Sequence, residues 1–160
     1  MRSRWSISLG TVAVATTVLI VSLVSLSPAS PALRIHVIEH ATTDTVIDTD
    51  GSGDDSTGDL LTFNNEVFDE TNSDVVATSH GDCIRVEVGV SWECRWVTIF
   101  EPVGDVRGGS IAVEGPFYDS EDSVLAVTGG TGIYKSAQGA MRLHARSGAE
   151  FDFVFKLTNV

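Results

Sequence analysis

Phe151, Phe153, Phe155 and Leu157 alternate with Asp152, Val154 and Lys156, the period of two that a half-buried β-strand requires. Across Ser147-Gly148 the preceding segment repeats the split, with Met141, Leu143 and Ala145 on one face and Arg142, His144 and Arg146 on the other. The same pattern predicts strands over Leu33 to Thr43, Leu60 to Phe68, Val75 to Val88, Ser91 to Phe100, Gly109 to Phe117, Ser123 to Thr128, Ala140 to Arg146 and Glu150 to Leu157. No stretch after Leu33 carries apolar residues at helical spacing for long enough to compete. About eight antiparallel strands joined mostly by short reversals predict an all-β domain. Closed on itself, such a sheet is a single eight-stranded antiparallel barrel of lipocalin-like shape, wide enough for one small ligand and free of exposed edges.

The first strand sets a phase with a chemical consequence. Leu33, Ile35, Val37, Glu39 and Ala41 share one face, and Arg34, His36, Ile38 and His40 the other. A glutamate therefore falls on the apolar side, where an unpaired carboxylate is expensive unless it is partnered or used. Glu39 is the candidate catalytic group. Its structural alternatives are an ion pair with Arg85 or Arg95, or a strand shifted by one residue that turns it to solvent.

Ahead of the domain, Arg2 and Arg4 precede a nearly continuous apolar run from Ile7 to Leu26, and small residues with prolines follow from Ser27 to Pro31. This is the layout of a secretory signal over residues 1–32, leaving a mature domain at 33–160. A membrane anchor through residues 7–26 is the alternative. From Leu33 onward 8 basic residues face 22 acidic ones, a net charge of −14. Nucleic acid and anionic membrane surfaces are poor partners on that balance.

Cys83 and Cys94 are the only cysteines, and Gly89 lies between them. Folding the chain at that glycine sets Cys83 opposite Cys94 and Arg85 opposite Trp92, and in an exported chain such a pair reads as one disulfide. A free Cys83 thiol is the competing reading.

Other polar features have plainer alternatives. Asp48, Asp50, Ser52 and Asp59, with Gly53 at the sixth position, mimic the spacing of a calcium loop, but flanking helices and a terminal glutamate are missing. A solvated acidic loop is the expectation. His36 and His40 could present a metal, yet sequence fixes no third ligand, so an outer polar face is expected. Gly129-Gly130-Thr131-Gly132 is not followed by a helix that could hold phosphate, and reads as a reversal between strands.

Several segments together resemble the allene oxide cyclase barrel family, with dirigent proteins as relatives of the same barrel type. They are Gly-Asp-Leu-Leu-Thr-Phe-Asn-Asn at Gly58 to Asn65, Gly-Asp-Cys-Ile at Gly81 to Ile84, Ser-Ile-Ala-Val-Glu-Gly-Pro-Phe-Tyr at Ser110 to Tyr118, and Glu-Asp-Ser-Val-Leu-Ala-Val-Thr-Gly-Gly-Thr-Gly-Ile-Tyr at Glu121 to Tyr134. The resemblance implies an isomerase whose apolar cavity lets a fatty-acid allene oxide close to a cyclopentenone. It also implies no metal or nucleotide cofactor, and a homotrimer. Carried over by position, the family's glutamate matches Glu39, its asparagine Asn65, its aromatic wall residue Phe63 and its cysteine Cys83. Ala41 stands where plant members carry an asparagine.

The expected site is thus Glu39 and Asn65, with Val37, Phe63, Phe117 and Tyr134 facing a small hydrophobic ligand derived from a fatty acid or polyene. Asn65 reads more readily as turn chemistry, and the aromatics more readily as plain core. Beside an exported cyclase stand two other classes: a non-catalytic dirigent-like protein and a lipid-carrying barrel.

Overall fold

The structure, a computed structural model, describes residues 32–102 and 107–160. The segment read as a signal or anchor lies outside the described residues apart from Ala32. Nine strands follow in order: β1 (Leu33–His40), β2 (Thr45–Ile47), β3 (Leu60–Phe68), β4 (Val75–Glu87), β5 (Ser91–Phe100), β6 (Gly109–Tyr118), β7 (Ser123–Gly130), β8 (Gln138–Ala145) and β9 (Glu150–Thr158). A single 3-10 turn, Gly132–Tyr134, separates β7 from β8.

All strand pairs are antiparallel neighbours from β3 through β9. β1 closes the sheet by pairing with β9 along its whole length and with the far end of β3, Ile38 opposite Phe68 and His40 opposite Glu66. β2 pairs with the near end of β3. β1 and β2 therefore act as one bent stave, and the result is a closed eight-stranded barrel. Three residues were too few for periodicity to reveal β2.

Alternation predicts the interior of this barrel. Phe153, Phe155, Leu157, Met141, Leu125, Ile111, Val113 and Val67 are all buried in one continuous core. Ile38 departs from it: outward by phase, it is only 1% exposed, and its cross-strand neighbours Phe68 and Asp152 are engaged by His40 and His36. The glycine pair is a second departure. Gly129 and Gly130 are the last residues of β7, opposite Ala112 and Ile111, and the reversal begins at Gly132. At Gly130 a Cβ would come within 2.4 Å of the Tyr134 carbonyl, so glycine there permits close approach rather than a turn.

Gly89 takes a positive φ of 69° at the β4–β5 hairpin, and its two strands bring Cys83 opposite Cys94, where they are disulfide-bonded. With 11 residues of separation, the bridge removes enough chain freedom to contribute about 2–3 kcal/mol. Reduction is expected to lower the melting temperature by roughly 10 °C. Thermal scans with and without reductant test this; superimposable curves for the oxidised protein and the Cys83→Ala/Cys94→Ala variant would refute it.

Candidate functional site

β1 delivers Glu39 to the barrel interior. Val37, two residues earlier on the same face, is buried beside it, and Glu39 itself is 5% exposed. Neither arginine expected as a structural partner reaches it. Arg95 pairs with Asp82 on the surface, and Arg85 is held by Asp55 and Asp119. Glu39 Oε1 is buried with no hydrogen-bond partner among the described residues, and so is Ser79 Oγ. Burial raises the Glu39 pKa to about 7; nearby Ser79 and Asn65 pull it back, and Asp44 adds to the rise.

A cavity of about 50 Å³ opens in front of this carboxyl. It is lined by the buried Glu39, Asn65, Trp96, Phe153 and disulfide, and by the more exposed Leu61, Phe117, Phe151 and Asp44. Phe63 borders it as well, edge-on to Trp96 at 6.1 Å between centroids. Phe117 and Phe151 meet edge to face at the mouth, 5.9 Å apart, and both are half-buried. The hollow lumen that eight strands suggested is largely filled in this state. Five aromatic rings occupy it, and what remains is room for a water or two rather than the several hundred cubic ångströms a ligand of drug size needs.

Of the residues expected at the site, Glu39, Asn65, Phe63, Phe117, Cys83 and Cys94 border the one cavity. Val37 is packed in the core next to Glu39 without lining it. Tyr134 sits away from this cavity in the 3-10 turn, against Phe100 at 5.3 Å.

Asn65 is not a turn residue. It lies inside β3, 1% exposed, and its Oδ1 accepts from Thr43 N–H at 3.0 Å and Thr43 Oγ1 at 2.9 Å, while Nδ2 donates to Asp44 Oδ1 at 2.8 Å. It braces the bend between β1 and β2. Trp96, Phe151, Phe153, Leu61 and Leu143 complete the wall without having been singled out. Trp96 could have been found by carrying the inward phase of Cys94 two residues along β5.

In the acidic loop the carboxylates of the calcium-like spacing are spent on the loop itself. Asp48 accepts the N–H groups of Asp50, Gly51 and Gly53; Asp50 accepts that of Ser52; Asp59 accepts those of Thr49 and Ser56. These bonds hold the pKa values of Asp50 and Asp59 low. Ser52 donates to the Asp54 carbonyl and accepts its N–H. On the outer face His36 bonds Asp152 at 2.7 Å and His40 bonds Asn72 at 2.7 Å, so the two rings serve different partners.

The described residues thus form a closed antiparallel barrel with Glu39 facing an aromatic-walled interior. The sequence pattern of the allene oxide cyclase family matches residues 34–157, and the chain belongs to that family. Its fold is similar to that of a pyocyanin demethylase, at 18% identity and a TM-score of 0.67, covering 79% of this chain and all of the other. Two pterocarpan synthase dirigent proteins, PsPTS1 and GePTS1, are similar at 12% and 14% identity, with TM-scores of 0.65 and 0.61. Each match covers 82% of this chain, with 97% and 87% of the respective partner.

Proposed function

We propose that this chain is an exported barrel that admits a small hydrophobic, unsaturated molecule to the Glu39 cavity and guides its cyclisation, an isomerase of allene oxide cyclase type. The observation that carries the reading is a buried carboxyl with an unpartnered oxygen among aromatic rings. Such a group costs stability, which is the usual mark of a functional rather than a structural acid. The disulfide agrees with an oxidising compartment, and so with export.

In the proposed reaction the epoxide C–O bond breaks with its electron pair kept on oxygen, leaving a delocalised cation. A new C–C bond then closes the ring, and the formula is unchanged. The Glu39 carboxylate stabilises the cation in a site that excludes water, and the wall fixes the chain's fold before closure. A substrate larger than the present cavity enters as the half-buried Phe117 and Phe151 rotate away from the mouth.

The test is incubation with an allene oxide generated in situ, as free acid and as methyl ester, followed by chiral separation of the cyclopentenone. One enantiomer in excess is expected from the wild type and a racemate from Glu39→Gln. A racemate from both would overturn the reading. Ligand retained without turnover would point to the dirigent-like or lipid-carrying alternative.

A further inference from the structure

The Cys83–Cys94 disulfide is part of the Glu39 cavity wall. Both half-cystines lie on the inward phase of their strands and are buried, and Leu61, another wall residue, stands directly opposite Cys83 on β3. No free cysteine occurs among the described residues. The same wall carries the buried, unpartnered Glu39 Oε1 that marks the cavity as a ligand site. Backbone pairing from Ala77 opposite Phe100 to Glu87 opposite Ser91 already fixes the β4–β5 register without the bridge. Its inward placement instead decides what chemistry the wall can do.

The rest of that wall is carboxyl, amide, aliphatic and aromatic. None of these adds lastingly to a conjugated enone, whereas a thiolate does. The cyclisation proposed above ends in such an electrophile, a cyclopentenone whose carbonyl activates its C=C bond. A cysteine thiolate would form a C–S bond at the β-carbon. The π pair moves towards the carbonyl as an enolate, which takes up a proton at the α-carbon. Nothing leaves, and no oxidant or reductant takes part in the addition. In the disulfide each sulfur is bonded to the other, so the addition has no nucleophile.

We propose that Cys83 and Cys94 form a latent covalent modification site for α,β-unsaturated ketones, and that their disulfide keeps the ligand wall inert towards such molecules. The inference rests on the Glu39 cavity being the ligand site of the proposed cyclase. It gives the bridge a role inside the barrel beyond its contribution to stability.

Cys94→Ala and Cys83→Ala each leave one thiol in the wall, and 2-pentylcyclopent-2-enone is the probe. Intact-mass spectrometry at pH 8 should find no adduct on the oxidised wild type and a single adduct on each folded variant. The saturated 2-pentylcyclopentanone, at about ten times its Kd, should slow that labelling roughly tenfold. It should leave labelling of the same variant in urea unchanged, which separates a thiol in the cavity from an exposed one. Labelling of one variant alone would assign the site to that sulfur. Folded variants that both resist the probe, or labelling that the saturated ketone does not slow, would overturn the proposal. If neither variant folds, the wild type reduced with a phosphine and freed of it is measured in the same way, and the same outcomes decide. Protected labelling without asymmetric cyclisation would fail the cyclase reading alone, and asymmetric cyclisation with variants that resist the probe would fail this inference alone.

Discussion

Glu39→Gln should make the protein more stable at pH 8 by about 3 kcal/mol while abolishing asymmetric cyclisation. The carboxyl holds its proton to a pKa of about 7 in the folded chain against an ordinary value of 4.5, chiefly because burial penalises the charge. Below pH 4.5 the group is protonated in both states and contributes no difference. Between 4.5 and 7 the folded chain binds a proton that the unfolded chain has released, so stability falls as pH rises, and above 7 the full cost is in place. Glutamine mimics the protonated form at every pH. Urea midpoints for the two proteins should coincide near pH 4 and separate to their full extent by pH 8. Other carboxyls with lowered pKa, Asp122 beside His144 and Arg142 among them, impose an opposite trend on both proteins alike, and it cancels in the difference. Parallel curves from pH 4 to 8 would mean that Glu39 ionises as freely folded as unfolded, and the case for a strained functional acid would fall with them. A stabilising change that destroys function is what a site retained against its energetic cost predicts.

The barrel was legible because its later strands alternate. β8 and β9 read directly, and Gly89 with its flanking cysteines fixed the β4–β5 register to the residue, including Arg85 opposite Trp92. Inward phase alone put Glu39 inside. What alternation cannot supply is volume. It says that Phe63, Trp96, Phe117, Phe151 and Phe153 point in or near the lumen, but not that together they leave about 50 Å³. That depends on how neighbouring staves are staggered, a property of closure and not of any one strand.

Asn65 shows the second limit. Its three hydrogen bonds run to Thr43 and Asp44, some 21 residues earlier, through a bend that no local pattern announces. Position matched it correctly to the cavity wall; its bonding partners give it a bracing role. Tyr134 failed for a related reason. Taking Gly129 and Gly130 as the turn shifted the reversal upstream, whereas β7 continues through both and the 3-10 turn tucks Tyr134 against Phe100.

Replacing Arg85 with alanine is expected to cost about 3 kcal/mol, the largest loss from any single charged residue of the domain. Its guanidinium lies over the Trp92 ring at 3.9 Å, with Nε donating to Asp55 at 2.8 Å and Nη1 to Asp119 at 2.7 Å. Three segments meet on it: the acidic loop, the β4–β5 hairpin and the turn after β6. Truncation would leave two carboxylates facing each other across an uncovered indole. The value belongs at the lower end for a buried pair because Asp55 and Asp119 both reach water, at 37% and 26% side-chain exposure. Arg85→Lys should recover only part of the loss, since an ammonium can neither span both acids in one plane nor stack on the ring. Arg95→Ala is the internal contrast: its side chain is 73% exposed and its Asp82 partner 40%, so removing it should change stability by less than about 0.5 kcal/mol. Denaturant midpoints for the three variants test the ranking. Equal losses for Arg85→Ala and Arg95→Ala would show that the clamp contributes no more than an ordinary surface pair, and that the acidic loop is held to the barrel by its own backbone hydrogen bonds instead.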